Sequence, residues 1–249
     1  MTPASTKSFR ELVGFEPAPI GVSHETHGTT VIALRYRGGV LSLADRRATM
    51  GNLIMFDQAE KILALDDSTV LAISGSFARS IEVARFLKHG FKYYRRMVIS
   101  ELSLEGKLME ISRVLASNIQ TAMQGIGVFL PIVSAYDKAR GQFGVYFFDG
   151  AGARFENAEY ACAGSGSERI RGIFEYLSRT RGPWHERPLD EVLVDGLTML
   201  DIAADLDSAT GGFGKTLPAA QVLEKDGTWA LDPDMLRSAA ARVLGRPVG

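Results

Sequence analysis

The chain has 249 residues, of which 46% are hydrophobic and 23% charged, and its formal net charge is −1. This length allows a buried core in one large domain or two small ones. The near-neutral charge gives no electrostatic reason to expect nucleic acid or a membrane surface as a partner. Cys162 is the single cysteine, so no internal disulfide can form, and the four histidines show no metal-ligand spacing.

The first 28 residues differ in character from the rest of the chain. No continuous apolar segment follows a basic start, so this stretch is not a secretory signal peptide. No apolar run elsewhere approaches the length of a membrane span. We interpret residues 1–28 as a tail that is either weakly ordered or packs transiently.

Two predicted hairpins follow this tail. The runs TTVIALRY and GGVLSLADRR are joined by Arg37, Gly38 and Gly39, where glycine supplies the positive φ of a tight turn. The runs EKILALDD and STVLAISG form a second pair, which turns at residues 66–68. Mixed alternating and continuous apolar positions indicate strands buried on one or both faces.

The hydrophobic period then changes to that of a helix. The spacing predicts helices over 80–94 and 104–124, then strands in FLPIVSAYD, GQFGVYFFD and AEYACAG. Further helices are predicted over 167–178 and 189–205, followed by a last hairpin in LPAAQVLEKDG and TWALD. A terminal helix is predicted after an Asp232 cap, with Pro233 at its first position.

Grouped strands joined by hairpins favour antiparallel sheets, and two groups of helices suggest a layer on each side. The predicted fold class is therefore α+β, as a four-layer αββα sandwich with two antiparallel sheets between helix layers. No linker and no internal repeat divides the chain.

The junction between Gly28 and Thr29 carries the most specific chemistry. A threonine hydroxyl is a poor nucleophile without a nearby base, but the α-amine of an N-terminal threonine can serve as that base. Its pKa of roughly 7.7 to 8 suits proton transfer at working pH. Such a site requires a cut before Thr29, and Gly28 has no side chain to block attack on its carbonyl group. We therefore predict that Gly28–Thr29 is cleaved.

Asp45 and Lys61 are candidate partners of this threonine. Asp45 ends the second strand and Lys61 opens the third. The pair could hold an ammonium near the hydroxyl, or it could be an ordinary surface ion pair worth about 0 to 1 kcal/mol.

Six short motifs occur in order along the chain: GTTVIAL, ADRRAT, EKI, ISGS, AGSGS and DSATGG. In sequence and separation they resemble the β-subunit of the 20S proteasome, particularly the actinobacterial form, within the N-terminal-nucleophile hydrolase superfamily. The resemblance implies a propeptide over 1–28, removed on maturation, and a catalytic domain over 29–249.

The resemblance also assigns roles to individual residues. It makes Thr29 the nucleophile, tuned by Asp45 and Lys61, and gives Arg47 a structural role beside the site. The amide of Gly75 would stabilise the oxyanion. Hydroxyl and carboxylate groups around the amine would come from Ser165, Asp207 and Thr210.

The same resemblance predicts a substrate cleft. Thr49 and Gly75 fall where the family's backbone pairs with an extended peptide, a form of β-strand addition. The first pocket would be lined by Ala48, Ala59, Ile73 and Phe77, so a hydrophobic residue before the cut is expected. Phe77 stands where a small alanine is usual, and its ring could either narrow the pocket or turn into the helix layer.

These roles predict a threonine endopeptidase that degrades unfolded polypeptides in a closed chamber after autocatalytic cutting at Gly28–Thr29, without a metal or cofactor. Expected partners are β-subunit copies in heptameric rings, α-subunit rings and a regulatory ATPase or activator, in the cytoplasm. One alternative is a non-catalytic, unprocessed ring subunit, and another is a related amidase acting on small molecules.

Two further motifs have simpler interpretations. ATGGFGKT, residues 209–216, loosely matches a phosphate-binding loop, but a helix precedes it and Pro218 follows, so we expect a loop that positions Asp207 and Thr210. RYRGG and FKYYRRM combine arginine with aromatic residues, a combination found in RNA-binding proteins, but the near-neutral charge of the chain favours solvated helix ends. FKYYRRM could instead contact a neighbouring subunit.

Overall fold

The computed structural model describes residues 28–50, 53–124, 127–157 and 159–248. The predicted propeptide therefore lies, apart from Gly28, outside the described residues. Among the residues described, no helix combines the length and apolarity needed to cross a membrane.

The first sheet has five antiparallel strands in the order β10-β1-β2-β11-β12. Their bounds are β1 Thr30–Tyr36, β2 Gly39–Ala44, β10 Tyr160–Gly164, β11 Ala219–Glu224 and β12 Gly227–Ala230.

The second sheet is also five-stranded and antiparallel, in the order β5-β6-β7-β8-β9. Its strands are β5 Ile62–Asp66, β6 Thr69–Ala72, β7 Ile132–Asp137, β8 Gln142–Phe148 and β9 Arg154–Asn157. A separate hairpin is formed by β3 Ala48–Met50 and β4 Leu53–Phe56.

The helices lie on the outer faces of the two sheets. Their bounds are α1 Phe77–Val98, α2 Leu104–Ala116, α3 Ile119–Met123, α4 Ser167–Arg181, α5 Leu189–Leu206 and α6 Pro233–Leu244, with a 3-10 turn at Trp184–Glu186. Buried side chains of α1 and α2 pack against the second sheet, and those of α4, α5 and α6 pack against the first.

Strand alternation explains the layering. Along β1, Ile32 and Leu34 belong to the core beneath α4–α6, while Val31 and Ala33 belong to a third core between the two sheets. Successive side chains of a strand point to opposite faces, so a strand with apolar residues at every position is buried on both. The predicted four-layer sandwich is confirmed.

Most predicted elements are confirmed within a few residues, including the Asp232 cap, whose carboxylate accepts from the amides of Asp234 and Met235. The prediction of one helix over 104–124 is wrong, because α2 ends at Ala116 and α3 starts at Ile119. The hydroxyl of Ser117 bonds the Val114 carbonyl at this break, and such local bonds compete with helix continuation.

The sequence patterns did not predict β3, β4 or β9. All four residues of β4 and all four of β9 are exposed, so neither strand has the buried, alternating face from which strands are recognised.

Candidate active site

Sheet register brings the ends of three strands together at Thr29. Thr30, the first residue of β1, lies opposite Gly164 at the end of β10, and Val31 lies opposite Ala44 at the end of β2. The residues that follow those two strands, Asp45 and Ser165, therefore reach the same edge as Thr29. The pairing of β1 with β10 joins residues more than 100 positions apart, whereas β1 and β2 are neighbours in a hairpin.

The hydroxyl of Thr29 lies beside the peptide bond predicted to be cut. The Thr29 side chain is buried, and its Oγ1 donates to the carbonyl oxygen of Gly28 at 2.6 Å. The Thr29 nitrogen is part of that peptide bond in this structure, so the geometry is that of the uncut chain.

Asp45 is held by four donors. Its Oδ1 accepts from the Thr30 amide and the Lys61 ammonium, each at 2.8 Å. Its Oδ2 accepts from the amides of Arg47 at 3.0 Å and Gly211 at 2.9 Å. Because the Thr30 amide is one of these donors, Asp45 fixes the backbone next to Thr29.

Lys61 is a buried cation. The Lys61 side chain is 1% exposed and that of Asp45 0%, so the pair is not a surface ion pair. Lys61 Nζ also donates to the carbonyl oxygen of Arg47 at 2.5 Å. Burial lowers the pKa of Lys61, and the negative charge of Asp45 partly opposes this effect.

A chain of hydroxyl groups links the start of β1 to Asp207. Thr30 Oγ1 and Thr210 Oγ1 are 2.7 Å apart, and Thr210 Oγ1 donates to Asp207 Oδ2 at 2.5 Å. The same carboxylate oxygen accepts from Ser165 Oγ at 2.5 Å. The structure thus brings together the three residues that the resemblance placed around the amine.

Arg47 connects the β3–β4 hairpin to the loop after α5. Its Nε lies 3.2 Å from Asp57 Oδ1, and its Nη1 donates to the carbonyl oxygens of Ser208 at 3.3 Å and Thr210 at 3.4 Å. The Arg47 carbonyl oxygen also accepts from Lys61 Nζ, so Arg47 contacts both the Asp45–Lys61 pair and the loop after α5.

Gly75 follows β6 in a conformation that favours glycine. Its φ is +94°, and an added Cβ would lie 2.5 Å from the carbonyl oxygen of Val128. A side chain here would meet both backbone strain and a clash. The oxyanion role of its amide stays a prediction.

The predicted pocket residues lie in different surroundings. Ala59 and Ile73 are buried, and Ala48 is half-buried on β3. The half-buried ring of Phe77 packs against the core between the second sheet and α1–α2. Ile73, another predicted pocket residue, belongs to the same core, so the direction in which the Phe77 ring turns stays a prediction.

A cavity of about 450 Å³ adjoins the site, and its charged lining residues are Asp45, Arg46, Arg47, Asp57, Arg246 and Lys215 of the glycine-rich loop 211–216. This loop runs between α5 and β11, so the strand–loop–helix context of a phosphate-binding loop is missing from this part of the described chain. Its Gly211 amide instead contacts Asp45.

Sequence reasoning missed two contributors to the site. Thr30 donates its amide to Asp45 and pairs its hydroxyl with Thr210, and Gly211 supplies another donor to Asp45. Both lie inside quoted motifs, next to Thr29 and Thr210, but their bonds arise from tertiary contacts.

Comparison with known proteins places the chain in one family. The family model described as Proteasome subunit matches residues 25–186. The proteasome subunit beta of Jonesia denitrificans is 34% identical over 186 residues, which are 75% of this chain and 60% of that protein, so the match spans less than two thirds of its length.

Two other relatives are matched over more of their length. The proteasome subunit beta of Acidothermus cellulolyticus is 34% identical over 88% of this chain and 76% of that protein. That of Streptomyces griseus is 31% identical over 92% of this chain and 82% of that protein. The chain therefore belongs to the proteasome subunit family, as a bacterial-type 20S proteasome β-subunit.

Proposed function

We propose that this chain is a catalytic β-subunit, a threonine endopeptidase activated by cutting its own Gly28–Thr29 bond. The observation that carries the proposal is the 2.6 Å hydrogen bond from Thr29 Oγ1 to the Gly28 carbonyl oxygen, beside the buried Asp45–Lys61 pair. A hydroxyl held beside the carbonyl group that it attacks loses less entropy in reaching the transition state.

The proposed cut has two steps. Thr29 Oγ bonds to the carbonyl carbon of Gly28 while the Gly28–Thr29 C–N bond breaks. The hydroxyl proton passes to the Thr29 nitrogen, which leaves an ester and a free α-amine. Water then attacks the ester, Gly28 leaves with a carboxylate, and Thr29 keeps both its hydroxyl and its amine. The products are residues 1–28 and a chain that begins at Thr29.

The freed amine is the base in peptide hydrolysis. It takes the proton of Thr29 Oγ as that oxygen attacks a substrate carbonyl, and it gives this proton to the substrate nitrogen as the scissile C–N bond breaks. The leaving peptide departs as an amine, and water later hydrolyses the acyl-enzyme and restores the Thr29 hydroxyl. The ammonium of Lys61 lowers the pKa of a nearby amine and stabilises negative charge on the attacking oxygen. The network of Ser165, Asp207 and Thr210 orients the amine.

The substrate class follows from the cleft and the family. Unfolded polypeptide would pair as an added strand with the backbone of Thr49 and Gly75, the Gly75 amide would stabilise the oxyanion, and an apolar pocket at Ala48, Ala59 and Ile73 would favour cuts after hydrophobic residues. We further propose copies of this chain in heptameric rings, stacked with α-subunit rings and served by a regulatory ATPase or activator, in the cytoplasm.

Intact mass and activity of the assembled particle test the proposal. We expect the wild-type chain to lose residues 1–28 and to cleave leucine-type fluorogenic peptides and casein. Thr29→Ala should keep residues 1–28 and lose both activities. Thr198→Ala, which changes an exposed hydroxyl on α5 bonded to Val194, is the matched control and should behave as wild type.

Two results would contradict the proposal. Permanent retention of residues 1–28 by the wild-type chain would identify the non-catalytic ring subunit. Hydrolysis by Thr29→Ala at the wild-type rate would remove Thr29 from the role of nucleophile.

A further inference from the structure

Gly28 makes three close contacts. Its amide donates to Thr49 Oγ1 at 3.1 Å, its carbonyl oxygen accepts from Thr29 Oγ1, and its Cα faces Ala209. These contacts surround the residue whose carbonyl is attacked in the proposed cut.

The Ala209 contact leaves no room for a side chain. A methyl group added to Gly28 would lie 1.8 Å from the Cβ of Ala209 and 2.6 Å from both its Cα and its carbonyl oxygen. Real Cβ atoms do not approach other heavy atoms so closely, so either Gly28 or the backbone at Ala209 would have to move.

The backbone at Ala209 is fixed on both sides. Arg47 Nη1 bonds the carbonyl oxygens of Ser208 and Thr210, the two residues that flank it. The Thr210 amide also donates to the Asp207 carbonyl at 3.0 Å. A larger residue at position 28 would therefore be displaced itself, and with it the carbonyl group beside Thr29.

The Thr49 contact comes from an irregular strand. The pairing of β3 with β4 shifts register between Ala48 and Thr49, and such bulges re-aim side chains. Thr49 is buried between the half-buried Ala48 and the exposed Met50, and its hydroxyl reaches the Gly28 amide. The role given to Thr49 by the family resemblance concerned its backbone, not this side chain.

We propose that Ala209 and the Thr49 hydroxyl form a gauge for position 28, which admits glycine alone and sets its carbonyl against the Thr29 hydroxyl. Both are positioning residues for the cut. The inference rests on the proposed function, since it concerns the same peptide bond. It adds that the glycine requirement comes from the loop after α5.

Time courses of loss of residues 1–28, followed by intact mass in the assembled particle, test the gauge. We expect Gly28→Ala to be cut at least about 100-fold more slowly than wild type, the scale that a misplacement of about 1 Å produces. Gly172→Ala is the matched control, because a Cβ there meets no atom within 4 Å. It should be cut at the wild-type rate.

A second substitution tests whether Ala209 is the obstacle. The double variant Gly28→Ala with Ala209→Gly removes the 1.8 Å contact and keeps those at 2.6 Å, so we expect its cutting to be faster than that of Gly28→Ala but slower than wild type. Gly28→Ala with Ala139→Gly, an exposed turn position, should stay as slow as Gly28→Ala alone.

Two conservative substitutions test the role of the Thr49 hydroxyl. Thr49→Val removes the hydrogen bond but keeps the shape, and we expect cutting roughly 3- to 10-fold slower. Thr49→Ser retains the hydroxyl and should restore most of the rate, which a purely steric role for Thr49 does not predict.

The outcomes separate this inference from the proposed function. If the wild-type chain is cut and Gly28→Ala is cut equally fast, or if Ala209→Gly gives no recovery, the gauge is wrong and the endopeptidase stands. Equal rates for the valine and serine variants at Thr49 would also overturn it. A wild-type chain that keeps residues 1–28 would overturn both proposals.

Discussion

The ammonium of Lys61 lies 2.8 Å from Asp45 Oδ1, and both side chains are almost completely excluded from solvent. Two buried charges are costly to desolvate, and they remain tolerable only when paired and hydrogen-bonded. Asp45 meets this condition with three backbone amides besides Lys61. We therefore expect the pair to contribute to folding stability as well as to the chemistry of the site.

Removing the cation should therefore cost both stability and activity. We expect Lys61→Met to lower the free energy of unfolding by about 3–5 kcal/mol, because it leaves a buried carboxylate without its counter-ion. Peptide hydrolysis should fall at least 100-fold, as on loss of one transition-state charge stabiliser, by an order-of-magnitude estimate. Denaturant unfolding and kcat measure the two effects.

The double variant Asp45→Asn with Lys61→Met tests whether the two charged residues stabilise the fold as one unit. Because the two sites share one interaction, their stability effects should not add, and the double variant should be more stable than the sum of the singles predicts. Arg237→Met, in an exposed ion pair with Asp234, should cost less than about 1 kcal/mol. Additive losses at Asp45 and Lys61 would show that the pair does not act as a unit.

The hydroxyl of Thr210 should matter more than its shape. Thr210 is buried, and its Oγ1 lies between Thr30 Oγ1 and the Asp207 carboxylate. Thr210→Val removes a hydrogen bond to a charged group, so we expect a loss of about 1.5–3 kcal/mol in stability and a lower kcat. Thr210→Ser keeps the hydroxyl and should be close to wild type in kcat. Equal kcat values for valine and serine would contradict a role for this network.

Phe77 should contribute to stability rather than to cleavage preference. Its ring packs against the core between the second sheet and α1–α2. We expect Phe77→Ala to lower the free energy of unfolding by roughly 1–3 kcal/mol, less than for a fully buried ring. The ratio of kcat/KM for leucine-type and arginine-type peptides should change little, whereas a pocket-lining side chain would change it roughly 10- to 200-fold. A change of that size would show that the Phe77 side chain lines the pocket.

The thiol of Cys162 should react slowly in the folded chain. Burial raises the pKa of Cys162 to about 11 from an ordinary 9.0, with a smaller opposing effect of Arg171. The thiolate is the reactive form, so alkylation at pH 8 should be about 100-fold slower in the folded than in the unfolded chain.

The same shift has a consequence for stability. The folded state holds the thiol proton between pH 9 and about 11 while the unfolded chain has lost it, so the contribution of Cys162 is present below pH 9 and is lost as pH rises through that window. Wild type should therefore lose more stability than Cys162→Ala between pH 8 and 10.5. Equal alkylation rates for folded and unfolded chain would contradict both statements.

Much of the fold was predictable because its signals are local. The continuous apolar run in TTVIALRY, the glycines of the first turn and the Asp232–Pro233 helix start act through neighbours a few residues away, and each was found where expected. Where local signals conflict, as at Ser117 within the 104–124 pattern, the boundary was wrong. The exposed strands β4 and β9 carry no buried face and could not be recognised at all.

The candidate site likewise has some features that the sequence predicts and others that depend on tertiary structure. By itself the sequence determined the Gly28–Thr29 junction and the list of chemical groups, because these are properties of short motifs. Only the tertiary structure decided that Asp45 and Lys61 are buried, that the Thr30 and Gly211 amides donate to Asp45, and that Ala209 faces Gly28. Those facts depend on strand register and loop packing between residues 15 to about 180 positions apart, which no local pattern encodes.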